Sequence, residues 1–380
     1  VRYDDFGQHS PGRLVPTVYN AKAFVPTPLP PDLNMAEIAL SLAEAHGAIG
    51  ELKGACRRLQ NPYIFIKPMQ RLEAQTSSAM EGTHTTNEKL AMAEAGVNAN
   101  GDDQTAEVLN YVRALETAIE SLNELPISSR LIRTAHQQLL QNVGISRGED
   151  KLPGEFKRDQ NMIGGRTLEA ARFIPAPPLQ TADCMSDLEV FINSDRGAQY
   201  ALIDMALVHY QFETIHPFAD GNGRVGRMLI SLMAVSRGLL DLPALFLSPA
   251  LEGVKDDYIE KMYRVSAFGE WNEWLNFFFS AVTETARRTV DTIDRIISLQ
   301  EIYREKAAAV STSNNLQSVV DMLFEQPVIR PKDIVNHVGV TDAAARGLLS
   351  KLMETGILVE VDMYPKTWIA LELIKNTRPD

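Results

Sequence analysis

Apolar residues recur at steps of three and four from Met35 through Ile38, Leu42, Ala45, Ile49, Leu52 and Cys56 to Leu59, which predicts a long amphipathic helix with Asn34 as its N-cap. Asn61-Pro62 breaks it. The same period predicts helices at about 70–80, 105–122, 128–141 (capped by Ser128 or Ser129), 182–193, 201–214 and 224–239, and then onward to about 304. Gly82 is a natural C-cap for the second of these, and 98–103 reads as a polar linker. Trp271, Trp274 and Phe277 to Phe279 repeat at helical spacing and read as core.

Three stretches depart from the helical period. Residues 1–33 carry six prolines and no sustained pattern, which predicts an extended arm. Between 148 and 178 the period vanishes; Phe156 to Ile163, the Gly164-Gly165 turn and Ala171 to Ile174 read as a β-hairpin closed off by Pro175-Ala-Pro-Pro178. After Ser311-Thr-Ser-Asn-Asn315 come helices at 317–325 and 332–338, a Gly339 turn, a third helix capped by Thr341 and running to Met353, and two short strands within 358–369. That order is a winged helix-turn-helix. The predicted fold is mainly α, a helical bundle with one β-hairpin and a small C-terminal winged helix domain.

Composition narrows the class without naming a function. The 380 residues are 45% hydrophobic and 23% charged, with a formal charge of −12, which argues against broad nucleic-acid affinity. No apolar run reaches the roughly 18 residues of a membrane helix, and no secretory pattern opens the chain, so no membrane partner is expected. Cys56 and Cys184 are too few for a disulfide framework, and no Cys-His spacing suggests zinc; a reducing, cytoplasmic setting is expected.

The chemistry concentrates in His216-Pro-Phe-Ala-Asp220-Gly-Asn222-Gly-Arg224-Val-Gly-Arg227, set between two predicted helices. Gly221-Asn222-Gly223 just before a helix lets backbone N–H groups converge on an anion, and the helix N-terminus adds partial positive charge. Arg224 and Arg227 lie three apart and share one face, within reach of successive phosphates. Asp220 is a hard oxygen ligand suited to Mg²⁺, and His216 is a base able to take a hydroxyl proton near neutral pH. Singly, each has an ordinary structural reading: a turn histidine, an Asx cap, a solvated arginine pair. Together they fit transfer of a phosphorus group to a hydroxyl, without the residue order of a P-loop.

This string resembles the signature of the Fic family of protein adenylyltransferases, and all the family's fixed positions are present. Ser77-Ser-Ala-Met-Glu81-Gly82 resembles the family's inhibitory motif, here placed N-terminal to the signature; the resemblance covers roughly 60–285. It implies a Fic-type bundle and transfer of AMP from Mg²⁺-ATP to a Ser, Thr or Tyr hydroxyl of a target protein or of the chain itself. His216 would be the base and Asp220 the Mg²⁺ ligand. Gly221, Asn222, Gly223, Arg224, Val225, Gly226 and Arg227 would form the ATP site, with Arg227 on the γ-phosphate. Ser77, Glu81 and Gly82 would make the restraint, Glu81 pairing with Arg227. Gln160, Asn161, Met162 and Ile163 resemble the family's flap, an edge that docks a target strand. Lys157 departs from the usual Arg and Met162 from a frequent Trp; Tyr258 lies where relatives place an adenine contact, though a core tyrosine is an equal reading.

The implied organisation is an arm (1–33), N-terminal helices (34–104) including the inhibitory helix at about 70–82, a catalytic core (105–285) with its flap at about 154–176, a linking helix (286–314) and the winged helix domain (315–380). From Asn315 on there are seven Lys or Arg against nine Asp or Glu, and Arg346 and Lys351 of the candidate recognition helix are offset by Asp342 and Glu354. That balance favours protein docking or dimerisation, a homodimer included, over nucleic acid. Two rivals follow: removal of AMP by the same site, with Glu81 orienting a water, and a nucleotide-sensing transcriptional regulator, which the intact His216 disfavours.

Overall fold

In the computed structural model, residues 1–59, 62–94, 103–143, 151–362 and 365–376 are described. The predicted linker at 98–103 therefore lies, except for Asp103, outside the described residues. Among the described residues the fold is helical, with two small antiparallel sheets. At its centre is α7 (Ala201–Ile215), in which all 15 residues are buried, so it shows no polar face. It is followed by the signature loop and by α8 (Asn222–Ser236), which is almost as buried.

Around this pair lie α1 (Met35–Arg57), α2 (Tyr63–Met80), α3 (Asn87–Glu94), α4 (Asp103–Ser121), α5 (Ser129–Leu139) and α6 (Pro178–Ile192). Asn34 caps α1, accepting from the Ala36 N–H at 3.3 Å, and Ser128 caps α5 through Leu131 N–H at 3.3 Å. The short α9 (Ser248–Gly253) and α10 (Lys255–Phe268) lead into α11 (Trp271–Val310), whose 40 residues lie along α1. One unbroken helix thus passes through position 285. The C-terminal region is α12 (Asn314–Glu325), β3 (Val328–Ile329), α13 (Pro331–Val338), α14 (Asp342–Glu354), β4 (Val359–Val361), β5 (Thr367–Ile369) and α15 (Leu371–Asn376), with strand order β3-β5-β4. Thr341 caps α14 through Ala344 N–H at 3.3 Å. This is the winged helix order read from the sequence.

The structure departs from expectation at both ends of the predicted β content. The proline-rich arm is folded as an antiparallel hairpin, β1 (Gly12–Pro16) with β2 (Lys22–Pro26), turning through Tyr19 and Asn20 at φ 56° and 58°. Its prolines end the strands and hide the alternation, while Phe24 packs on Phe6 and Phe173 at centroid distances of 5.5 and 5.7 Å. The predicted 156–174 hairpin contracts to one bridge, Ile163 with Phe173. The N–H of Phe24 in β2 donates to Ile174 O at 2.8 Å, so the arm backs the far side of this flap.

Two helices begin earlier than their periods suggested. α2 starts at Tyr63 and carries Pro68 inside it; the lost backbone bond is offset by burial of Phe65, Ile66 and Met69. α6 uses Pro178 as its first residue, where a missing N–H costs nothing. Among the described residues no helix is long and apolar enough to cross a membrane.

Candidate active site

The signature loop is a tight connection between two buried helices, and its own side chains shape it. α7 ends at His216 in the left-handed region (φ 51°, ψ 61°), with its N–H on Phe212 O at 2.9 Å. Such a conformation is strained for a non-glycine residue and persists only where surroundings enforce it. Asn222 braces the loop just beyond it, accepting from Phe218 N–H and donating to Phe218 O, each at 2.8 Å. Its side chain is thus committed to the loop rather than turned outward as an anion donor. Gly221 precedes α8 at φ 77°, which an L side chain rarely adopts.

Three residues that sequence reasoning passed over or placed differently complete the frame. The buried Lys157 ammonium donates to the carbonyls of Ile215 (3.1 Å) and His216 (2.9 Å) and to Asn161 Oδ1 (2.8 Å). Burial pulls its pKa down to about 7. Asn161, expected as a target contact, also turns inward, donating to His216 O at 2.9 Å and Phe218 O at 3.0 Å. His136 stacks on Phe218 at 3.8 Å. It accepts at Nδ1 from Gly154 N–H (2.9 Å) and so donates from Nε2 to Asp220 O (3.0 Å); burial lowers its pKa to about 4 and keeps it neutral.

His216 itself is ready to act as a base. Its Nδ1 lies 3.2 Å from Glu213 O. A carbonyl only accepts, so Nδ1 carries the proton and Nε2 keeps its lone pair. Burial first, then the Lys157 charge, lower its pKa to about 4, so it is neutral at neutral pH.

The two arginines of α8 are both buried and differently partnered. Arg224 pairs through Nη1 with the buried Glu107 of α4, while its Nη2 lies 3.6 Å from Asp220 Oδ1. Arg227 donates from Nε to Ser77 Oγ, and from Nη2 to both Ser77 O and Glu81 Oε1, each at 2.8 Å. Glu81 is the C-cap of α2 and Gly82 follows at φ 82°. Burial would raise the Glu81 carboxyl, but the Arg227 charge and hydrogen bond outweigh it and hold the carboxyl below its ordinary value. A Cβ on Gly223 would strike that carboxylate.

These groups open onto a cavity of about 410 Å³ lined by Glu81, Glu213, His216, Asp220 to Gly223, Arg227, Met162, Ile163, Lys255 and Tyr258, among others. The cavity therefore joins His216, Asp220, the glycine turn, Arg227, Glu81 and two flap residues. Arg224, Ser77 and Asn161 stand behind its wall, as does Gln160, which bonds Thr17 of the arm (2.6 Å) and Pro175 O (3.0 Å). Val225 and Gly226 are buried in α8. Tyr258 combines a core position with a place on the cavity wall. It lines the cavity, but is only 3% exposed, and its hydroxyl donates to His209 Nε2 at 2.8 Å, since His209 Nδ1–H is used on Gly226 O at 3.0 Å.

The Fic/DOC family N-terminal model matches residues 39–120 and the Fic/DOC family model residues 126–234, which together take in about half of the chain. The chain belongs to the Fic/DOC family. It is similar to the protein adenylyltransferase Fic of Drosophila melanogaster, 29% identical over 202 residues, 52% of this chain and 38% of that protein. The Drosophila virilis counterpart is 28% identical over 199 residues, so the chain spans less than two fifths of the length of either relative, 38% in each case. In fold it resembles a Fic family protein from Desulfovibrio desulfuricans, with a TM-score of 0.58 at 18% identity over 90% of this chain and 98% of that one. A Fic domain containing signaling protein from Bacteroides thetaiotaomicron gives a TM-score of 0.51 at 17% identity, over 67% of this chain and 96% of that one.

Proposed function

We propose that this chain is a protein adenylyltransferase, moving AMP from Mg²⁺-ATP to a hydroxyl of a target protein or of itself, and that Glu81 restrains it. The carrying observation is the Glu81–Arg227 pair inside the cavity that also holds His216 and Asp220. Arg227 is the cation in line for a γ-phosphate, and while it is bonded to Glu81 and Ser77 its Nε and Nη2 donors are committed. Replacing Glu81 by a phosphate trades one anion for another on the same guanidinium. The nucleotide then lies with its α-phosphorus between the glycine turn and His216.

The acceptor hydroxyl gives its proton to His216 Nε2 as its oxygen bonds to the α-phosphorus. The α–β bridging bond breaks and pyrophosphate leaves. Asp220 is the residue that would hold Mg²⁺; its side chain is 42% exposed toward the cavity, and one carboxylate suffices for an ion that takes its other ligands from phosphate and water. Bound there, the ion offsets the charge of the phosphates. Met162 and Ile163 on the flap line the same cavity and suit a role in placing the acceptor segment.

The test is labelling with radioactive ATP. Glu81→Gly is expected to raise incorporation at least tenfold over the parent, and His216→Ala in that background to abolish it. Equal labelling in all three proteins would sink the assignment. Removal of AMP is the second reading, favoured by the Glu81 carboxylate facing the same cavity as the base. Loss of AMP mass from a modified target incubated with the parent, but not with Glu81→Gly, is its signature. The regulator reading is weaker, because Arg346 of α14 is bonded to Asp342 at 2.8 Å.

A further inference from the structure

Glu213 is a buried carboxyl that the reaction as written does not use. It sits on α7 one turn before His216, and its Oε1 has no hydrogen-bond partner among the described residues. Its Oε2 lies 3.9 Å from His216 Nδ1, and the residue borders the cavity. Space for it is made by Gly226 of α8, where a Cβ would collide with Oε1. An unpaired buried carboxyl costs stability, so a structural role alone gives no reason to keep one beside an empty Cβ position.

We propose that Glu213 is a positioning residue for His216, its carboxylate lying beside Nδ1 to stabilise the imidazolium that forms when His216 takes the acceptor's proton. This rests on the adenylyl transfer reading. The proton moves from the hydroxyl to Nε2; Nδ1–H, already turned to Glu213 O, then carries part of the new positive charge toward Oε2. No proton needs to pass to Glu213 itself, as in the histidine–carboxylate pairs of other enzymes.

The groups facing Glu213 are Arg227 of α8, Glu81 at the end of α2, Tyr258 of α10 and His216. Burial chiefly, against the opposing pull of Arg227 and with Glu81 adding to it, raises the Glu213 pKa to about 8. With Glu81 present the carboxyl is therefore mostly protonated at neutral pH, and support for the imidazolium grows as pH rises through that value; in Glu81→Gly, which loses the Glu81 contribution, the same rise begins at lower pH. Glutamine mimics the protonated form in shape and charge. Its effect should accordingly be absent at low pH and large at high pH, which a packing defect cannot imitate.

The experiment compares Glu81→Gly with Glu81→Gly/Glu213→Gln by initial labelling rates at about pH 6 and about pH 9. The rates should agree within about twofold at the lower pH, and the glutamine variant should fall about tenfold behind at the higher. Equal rates at both values, or an equal loss at both, overturn the proposal. Lys157 titrates in the same range, so the contrast between the variants carries the assignment rather than the slope of either. A second readout needs no turnover: the ¹⁵N shift of the His216 imidazole in the wild-type chain should move between about pH 7 and 9, and Glu213→Gln should remove most of that movement. An unchanged shift profile counts against Glu213. Absence of labelling in Glu81→Gly counts against adenylyl transfer and leaves the imidazole shift to decide the contact.

Discussion

Arg224 and Arg227 stand one turn apart on α8, both almost fully buried, yet their carboxylate partners differ in kind. Arg224 meets Glu107, whose side chain is 2% exposed, whereas Arg227 meets Glu81, 37% exposed. Glu107 projects from the second turn of α4 and also accepts from Thr83 Oγ1 at 3.1 Å. Glu81 is the last link of α2, held at a helix end where little backbone must move to release it. A pair sealed from water is costly to break and serves as framework; a pair with one wet member can exchange its anion. On that reading the signature contains a fixed cation and an exchangeable one, three positions apart.

Removing Glu107 should have the largest effect. Glu107→Ala leaves the buried Arg224 guanidinium with only the part-exposed Asp220 at 3.6 Å, at a cost of about 3–5 kcal/mol in urea unfolding. Glu81→Gly, by contrast, should change unfolding stability by about 1 kcal/mol or less while labelling rises. If the two substitutions cost the same stability, the division between framework and lock collapses. Lys157→Met should fall between them, since it removes three hydrogen bonds from the His216 loop and a buried charge in one step. Those two losses oppose each other in stability. The visible loss should therefore be in activity, about tenfold or more in kcat when measured in the Glu81→Gly background.

What could be read from the chain follows the same division. The twelve residues of the loop are contiguous, and the motif around Glu81 is local to one helix end, so their chemistry was visible as strings. The frame is not local. Glu107 reaches Arg224 across 117 residues, and His136 reaches Asp220 across 84. Neither carries a sequence signal of its own. Glu213 did leave a trace: with His209 and Gln211 it forms a polar set on α7, a helix whose every residue is buried. Polar residues on a helix without a polar face point to an internal network, and that pattern could have been read. The flap is legible as a hairpin, of which one bridge forms, whereas the arm's hairpin is not, because β pairing there depends on Phe24 and Phe173 packing together rather than on local alternation.

The smallest effect separates charge from geometry in the lock. Glu81→Gln keeps an oxygen able to accept from Arg227 Nη2, now at 2.8 Å, but removes the negative charge. With the carboxylate more than a third exposed, the charge is worth about 0.3–1 kcal/mol against a competing phosphate. Labelling by Glu81→Gln should then exceed the parent by about two- to fivefold and remain below Glu81→Gly. Acid should not substitute for this change. The Glu81 carboxyl is held below its ordinary value by Arg227, so the lock's contribution is complete above about pH 4.5 and is lost only as pH falls through the lowered value. His216 becomes protonated near about 4, so the base is lost as the lock loosens and no acid window of labelling opens. Parent-like restraint in Glu81→Gln would mean that the two Ser77 bonds to Arg227, rather than the carboxylate, hold the exchangeable cation.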